Sequence, residues 1–200
     1  VKFIRDVAPQ STLALGPVPM EGEDQKFPAG AEKPRFTILK EKCPNRRGIE
    51  TVVTQCGGRT LNFTEFQAAA AKGEFTAVWM VGGYPKPWVD KDVAKIAEHV
   101  ELLVVQDMFD SDLTKGAAVI LPACAWTERD GTFVNADGLA QSFERATSPP
   151  EGAMRDGQYL FEIAGFSGLY SGARVREMMT AELQSVATPY SPPPIPEFAH

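Results

Sequence analysis

Residues 100–138 read VELLVVQDMFDSDLTKGAAVILPACAWTERDGTFVNADG, and this stretch decides the fold. It holds two short apolar runs, Val100–Val105 and Ala117–Leu121, rich in β-branched and leucine residues. Gln106-Asp107 stops the first run and Pro122 stops the second. Continuous apolar runs of this length predict strands buried on both faces, as in a parallel sheet covered by helices. Open α/β sheets place their ligands just past the carboxyl ends of such strands. Candidate site residues are therefore sought there.

Working upstream, Phe75–Val81 is a third apolar run, ended by Gly82-Gly83-Tyr84-Pro85. Leu61–Lys72 predicts a helix before it. Thr64 is placed to cap that helix, Glu65 suits its positive first turn, and Phe66, Ala69 and Ala70 share one face. Gly73 closes it. Asp90 opens another helix with Val93, Ile96 and Ala97 inward, and a short polar segment at Asp110–Lys115 precedes the last run. The order from Leu61 to Leu121 is thus helix, strand, helix, strand, short helix, strand. Such alternation predicts an α/β fold of βαβ units with right-handed crossovers. With parallel strands, Gly82-Gly83, Gln106-Asp107 and Pro122 emerge along one rim.

The flanks are less regular. Phe3–Val7 reads as the end of a helix, Thr12–Leu15 as a short strand, and residues 16–34 as a loop of Pro, Gly and charge. Phe36–Leu39 is a strand or an extended segment. In Lys42–Gly48, Pro44 and Gly48 bracket a turn that carries Arg46 and Arg47. This is an anion site before a helix, or a solvated turn whose arginines pair with acids on a partner surface; the second reading is favoured, because two arginines make a weak motif. Downstream, Thr132–Val134 is extended and Phe143–Gly152 is loop. Asp156 caps a helix with Tyr159, Leu160, Ile163 and Ala164 on its apolar side, and Ser171 caps another with Val175, Met178, Met179 and Leu183 as its stripe. Residues 188–200, TPYSPPPIPEFAH, form a proline-dominated extended tail. The expected division is 1–60 (strand, loop and arginine turn), 61–145 (α/β core), 146–187 (C-terminal helices) and 188–200 (tail).

Composition narrows the function classes. The 200 residues are 44% hydrophobic and 23% charged, which places the chain among globular proteins. A net charge of -6 argues against a nucleic-acid surface. No apolar run approaches the roughly 20 residues of a membrane span. The chain begins at Val1 with no signal-peptide pattern and reads as a piece of a longer one. Cys43, Cys56 and Cys124 have no C-x-x-C spacing, so they build neither a zinc site nor an iron–sulfur site, and a reducing cytoplasmic setting is expected.

The chemistry is sparse. His99 and His200 are the only histidines, and neither is placed for a Ser–His or Cys–His nucleophile. Acid pairs at Asp110/Asp112 and Glu128/Asp130 read as solvated caps. There is no G-x-G-x-x-G or Walker-type loop. Gly82 and Gly83 would let a backbone approach a phosphate, or would only turn the chain; Gly131 and Gly138 are expected at positive φ. Thr132 and Asn135 suit orientation of a polar ligand rather than bond-making.

Gln106-Asp107, Leu121-Pro122, Glu128, Gly131, Thr132 and Asn135 together resemble the signature of the molybdopterin oxidoreductase family, specific from about Phe75 to Gly138. Gly82–Pro85 sits where that family has a Gly-x-Asn-Pro loop. Within the superfamily, LALGPVP and KCPNRRG make the chain most similar to the C-terminal part of the large iron–sulfur subunit of NADH-quinone oxidoreductase, respiratory complex I. The resemblance implies a Rossmann-like domain and a structural and assembly role in NADH:quinone electron transfer, not catalytic alone. It implies no cofactor in this piece, with iron–sulfur clusters in an N-terminal part. The implied partners are that N-terminal part and other subunits of the complex, in the cytoplasm and peripheral to the inner membrane. Tyr84 in place of the family's Asn, and Leu139 where an Arg often follows the glycine, favour this reading. In the alternative, Gly82, Gly83, Gln106, Asp107, Thr132 and Asn135 help cradle molybdopterin guanine dinucleotide in an active enzyme such as a formate dehydrogenase. A nucleotide-binding module is the third reading.

Overall fold

The structure, a computed structural model, describes residues 8–56 and 58–182. The expectations for Phe3–Val7, Leu183 and the tail at 188–200 lie outside them. In chain order, β1 (Leu13–Leu15), β2 (Gln25–Phe27) and β3 (Phe36–Ile38) precede helix α1 (Arg46–Cys56), β4 (Thr60–Asn62) and helix α2 (Phe63–Ala71). Then come β5 (Ala77–Val81), α3 (Lys91–Ala94) with a 3-10 turn at Lys95–Glu98, β6 (Leu102–Asp107), α4 (Asp112–Lys115) and β7 (Val119–Pro122). A second 3-10 turn, Trp126–Glu128, leads to β8 (Gly131–Val134), β9 (Ala140–Phe143), α5 (Asp156–Ile163) and α6 (Gly172–Glu182).

The three apolar runs form one parallel sheet in the order β5-β6-β7. Val81 pairs with Gln106, and Asp107 pairs with Pro122, so the three strand exits share a rim. Beneath the sheet, Phe66, Ala70, Val93, Ile96 and Leu113 from the helices meet Val78, Met80, Leu103 and Val105 from the strands. Burial on both faces holds only for β6, where Leu103, Val105, Gln106 and Asp107 are buried. The expectation fails for β7, whose Val119 and Ile120 are 43% and 49% exposed. β6 has a paired strand on either side, whereas β7 is bonded along one side by β6 and, among the described residues, is bridged on the other only where Ala123, just past its end, meets Met154. Gln106 and Asp107 also continue β6 rather than ending it, because both side chains find partners in the interior.

Several local expectations are corrected. Leu61 belongs to β4, paired with Ala14 of the parallel β1, so α2 starts at Phe63. Its cap is Asn62, not Thr64: Asn62 Oδ1 accepts from Glu65 N, and the Glu65 carboxylate accepts from Asn62 N. Residues 16–34 are not all loop, since β2 pairs antiparallel with β3. Arg46 and Gly48 lie in helix α1 rather than in a turn; Gly48 leaves room there for Asn45 Oδ1, which accepts from Val134 N and would stand 2.4 Å from a Cβ on Gly48. Residues 140–143 form β9 against β8. Asp156 is the first residue of α5 and gives it no side-chain cap; the cap position is Arg155. The buried face of α5 is Gln158 and Phe161, while Ile163 is exposed, because the helix docks through Gln158 onto the Gly168–Tyr170 turn. Val175 and Met178 of α6 are half-buried.

Candidate functional site

The rim is built around Asp107. Its Oδ1 accepts from Gly83 N at 3.0 Å and from Met108 N at 2.7 Å, and its Oδ2 accepts from Trp88 Nε1 at 2.8 Å. Gly82 makes this approach possible, since a Cβ there would lie 2.4 Å from Asp107 Oδ2. Gly82 N donates to the Gln106 carbonyl, and Gly83 takes φ +101°. Both glycine amides at the end of β5 are therefore engaged by the chain itself. Tyr84 continues the closure. Its hydroxyl donates to the Pro17 carbonyl at 2.5 Å, its ring lies 5.4 Å from that of Trp88, and burial pushes its phenol up to about 12.

Gln106 points to the opposite face of β6, as alternation along a strand requires. It accepts from Trp79 Nε1 at 3.3 Å and donates to Asp156 Oδ1 at 3.1 Å. Asp156 pairs with Arg129, Asp130 pairs with Arg155, and Gly172 N donates to Asp130. These links fasten β6, the turn before β8, α5 and the start of α6. Glu128 accepts from Ala125 N, so Glu128 and Asp130 serve structure, in line with a capping role, although half-buried rather than solvated.

Thr132 and Asn135 belong to the β8–β9 hairpin. Thr132 Oγ1 accepts from Arg176 Nη1 at 3.0 Å. Asn135 Oδ1 accepts from Asp137 N and Leu139 N, which shapes the hairpin turn, and Gly138 there has φ +85°. Gly131 does not have the positive φ expected of it; it is small because Phe143 lies against it, 2.7 Å from where a Cβ would stand. The structure thus brings Gly82, Gly83 and Asp107 together, places Gln106 on the other face of β6, and puts Thr132 and Asn135 on a separate hairpin.

Asn135 lines a cleft of about 970 Å³ between α1, β3 and the hairpin, with Arg46, Arg47, Glu50 and Asp137 among its walls. Arg46 is held by Glu41 and Glu50, both at 2.8 Å, and Arg47 Nη1 donates to the Ala136 carbonyl. Arg46 therefore pairs with acids of its own chain, not with those of a partner surface as expected, because Glu41 and Glu50 lie within reach on the flanking segment and the next turn of α1. Asn45 Oδ1 accepts from Val134 N at 2.8 Å, a bond between segments 89 residues apart that the sequence does not announce.

No catalytic constellation accompanies these groups among the described residues. Burial pushes the thiols of Cys43 and Cys124 up, away from the reactive thiolate. Among the described residues no group of three or more His, Cys, Asp and Glu could hold a metal ion, and no helix is long and apolar enough to cross a membrane. Trp88 and Tyr84 are the rim residues that motif reading undervalues. The aromatic cluster Tyr84-Pro85-Lys86-Pro87-Trp88 is the available signal.

Comparison with known proteins adds relatives. The family model described as molybdopterin oxidoreductase matches residues 46–166. Formate dehydrogenase H of Escherichia coli is 34% identical over 128 residues, 62% of this chain and 17% of that protein. The F420-dependent formate dehydrogenase subunit alpha of Methanocaldococcus jannaschii is 33% identical over 103 residues, 50% of this chain and 15% of that protein. The NADPH-Fe(3+) oxidoreductase subunit alpha of Geobacter sulfurreducens is 30% identical over 123 residues, 58% of this chain and 15% of that protein. The aligned part of the chain thus spans 15–17% of the length of these curated relatives.

Proposed function

We propose, from the premise that this chain belongs to the molybdopterin oxidoreductase family, that it is a structural α/β part of an electron-transfer subunit. That subunit is of the kind found as the large iron–sulfur subunit of NADH:quinone oxidoreductase, respiratory complex I. One observation carries the reading: the rim groups that would meet a pterin dinucleotide are already bonded within the chain. Asp107 accepts three hydrogen bonds, the amides of Gly82 and Gly83 are donated, and the Tyr84 hydroxyl is bound to Pro17. A dinucleotide held here needs free donors and acceptors at convergent positions. The residues present do not fit it, because these donors and acceptors are already taken up within the chain.

In this reading the chain's work is mechanical. The β5-β6-β7 sheet and the Arg129–Asp156 and Arg155–Asp130 pairs hold a rigid block, onto which the N-terminal part of the same subunit and neighbouring subunits assemble. Iron–sulfur clusters belong to that N-terminal part, and association with the inner membrane runs through the complex.

A second reading is favoured by the relatives themselves, since formate dehydrogenases and an NADPH-Fe(3+) oxidoreductase align with half or more of the chain. In it, the chain supplies part of a guanine-dinucleotide cradle in an active molybdenum enzyme. Metal and pterin analysis of the full-length protein separates the two. The expected result is no molybdenum and no pterin fluorescence after oxidation. Molybdenum in near-equimolar amount would overturn the structural reading and establish the second.

A further inference from the structure

The N-terminal segment that leaves β1 does not drift into solvent. Gly16 turns it with φ +114°, hard against α2: a Cβ on Gly16 would stand 2.9 Å from Phe63 Cβ. The segment then runs beside the loop at the end of β5 and is joined to it twice. Tyr84 donates to the Pro17 carbonyl at 2.5 Å, and Lys86 Nζ meets Glu21 Oε1 at 2.6 Å. Pro17 and Glu21 on one side thus match Tyr84 and Lys86 on the other. Behind this seam the contacts lead to the rim, from the Tyr84 ring to Trp88 and from Trp88 Nε1 to Asp107, which holds Gly83 N and Met108 N.

We infer that residues 16–21 are a strap latched over the strand-end rim by Tyr84, an intramolecular closure that holds the rim shut. The inference rests on the reading of the rim as closed to a cofactor and names the device that closes it. A phenol is long enough to reach the strap and apolar enough to pack, tilted, against the Trp88 ring, a combination that a short amide at this position could not supply. The Lys86–Glu21 pair is exposed and adds orientation more than strength.

Tyr84→Phe tests the latch, because it removes the hydroxyl and keeps the ring. Amide hydrogen exchange of the chain is compared residue by residue between wild type and variant. The expected result is about tenfold faster exchange at Gly83 and Met108, with Leu103 and Val105 unchanged, as befits a local opening. No change at Gly83 and Met108 would overturn the latch. A uniform rise across β6 would also overturn it, showing Tyr84 to be a general core residue. Should Tyr84→Phe fail to fold, Gly16→Ala decides, because a Cβ at that positive-φ turn meets Phe63 and displaces the strap: faster exchange confined to Gly83 and Met108 supports the strap, and unchanged exchange there ends it. Molybdenum or pterin in the wild-type protein would defeat the reading of the rim while leaving these exchange outcomes to stand separately.

Discussion

The β5-β6-β7 sheet and the β2–β3 ribbon are both small, yet they are held by different forces. The sheet buries Val78, Met80, Leu103 and Val105 against helices and uses one buried carboxylate, Asp107, to close its rim. The ribbon is held by the stacking of Phe27 on Phe36, with centroids 4.9 Å apart, a bond from Lys40 N to Asp24, and a bridge between Met20 and Glu41. Its Phe36 and Ile38 are 58% and 46% exposed. A two-stranded ribbon is marginal in water without a packed face. Burial fixes the sheet, whereas the ribbon depends on local pairs, among them the bond from Lys42 N to the Pro19 carbonyl that closes its base.

The sharpest way to break this contrast is to remove apolar volume under the sheet. Leu103→Ala is expected to cost about 2–5 kcal/mol, the range for a large side chain deleted from a packed core. Denaturant unfolding of the chain measures it, and a loss below about 1 kcal/mol would mean the sheet is not the stability centre. Next comes the rim. Asp107→Ala leaves Gly83 N, Met108 N and Trp88 Nε1 without their acceptor. The expected loss is about 3 kcal/mol, with Asp107→Asn recovering part of it, since a donor left buried without an acceptor incurs its full desolvation penalty. Equal losses in the two variants would show that the oxygens are not what matters. The smallest effect belongs to the ribbon. Phe36→Ala should lower stability by only about 0.5–1 kcal/mol, the worth of an exposed aromatic pair. A change as large as that of Leu103→Ala would place the ribbon on the core.

The contrast also explains which parts can be read in advance. The sheet is legible because a continuous apolar run is best satisfied as a strand packed on at least one face, although only β6 is buried on both. The ribbon escapes such reading because Gln25-Lys26-Phe27 has no period and sits among Gly and Pro. Helix α1 escapes it because Gly48 and the β-branched run Thr51–Thr54 argue against helix locally, while contacts with Val134 and Asn45 override that preference. Gly131 misleads, since a glycine needed for the Phe143 ring looks the same in sequence as one needed for a turn. At the rim, the positions of Gly82, Gly83 and Asp107 are readable, but not that their polar atoms satisfy one another.

By itself, the sequence determined that three hydrophobic strands lie parallel with helices between them, because hydrophobic patterning is a local property with one economical global solution. Only the tertiary structure decided what the strand ends do. Whether Asp107, Tyr84 and Asn135 face a ligand or their own chain depends on Trp88, Gly83, Pro17 and the hairpin turn. Trp88 and Gly83 lie 19 and 24 residues from the Asp107 they bind, and Pro17 lies 67 residues from Tyr84. Hydrogen bonds are directional and short, and a linear pattern carries no record of which distant donor ends within reach of which acceptor.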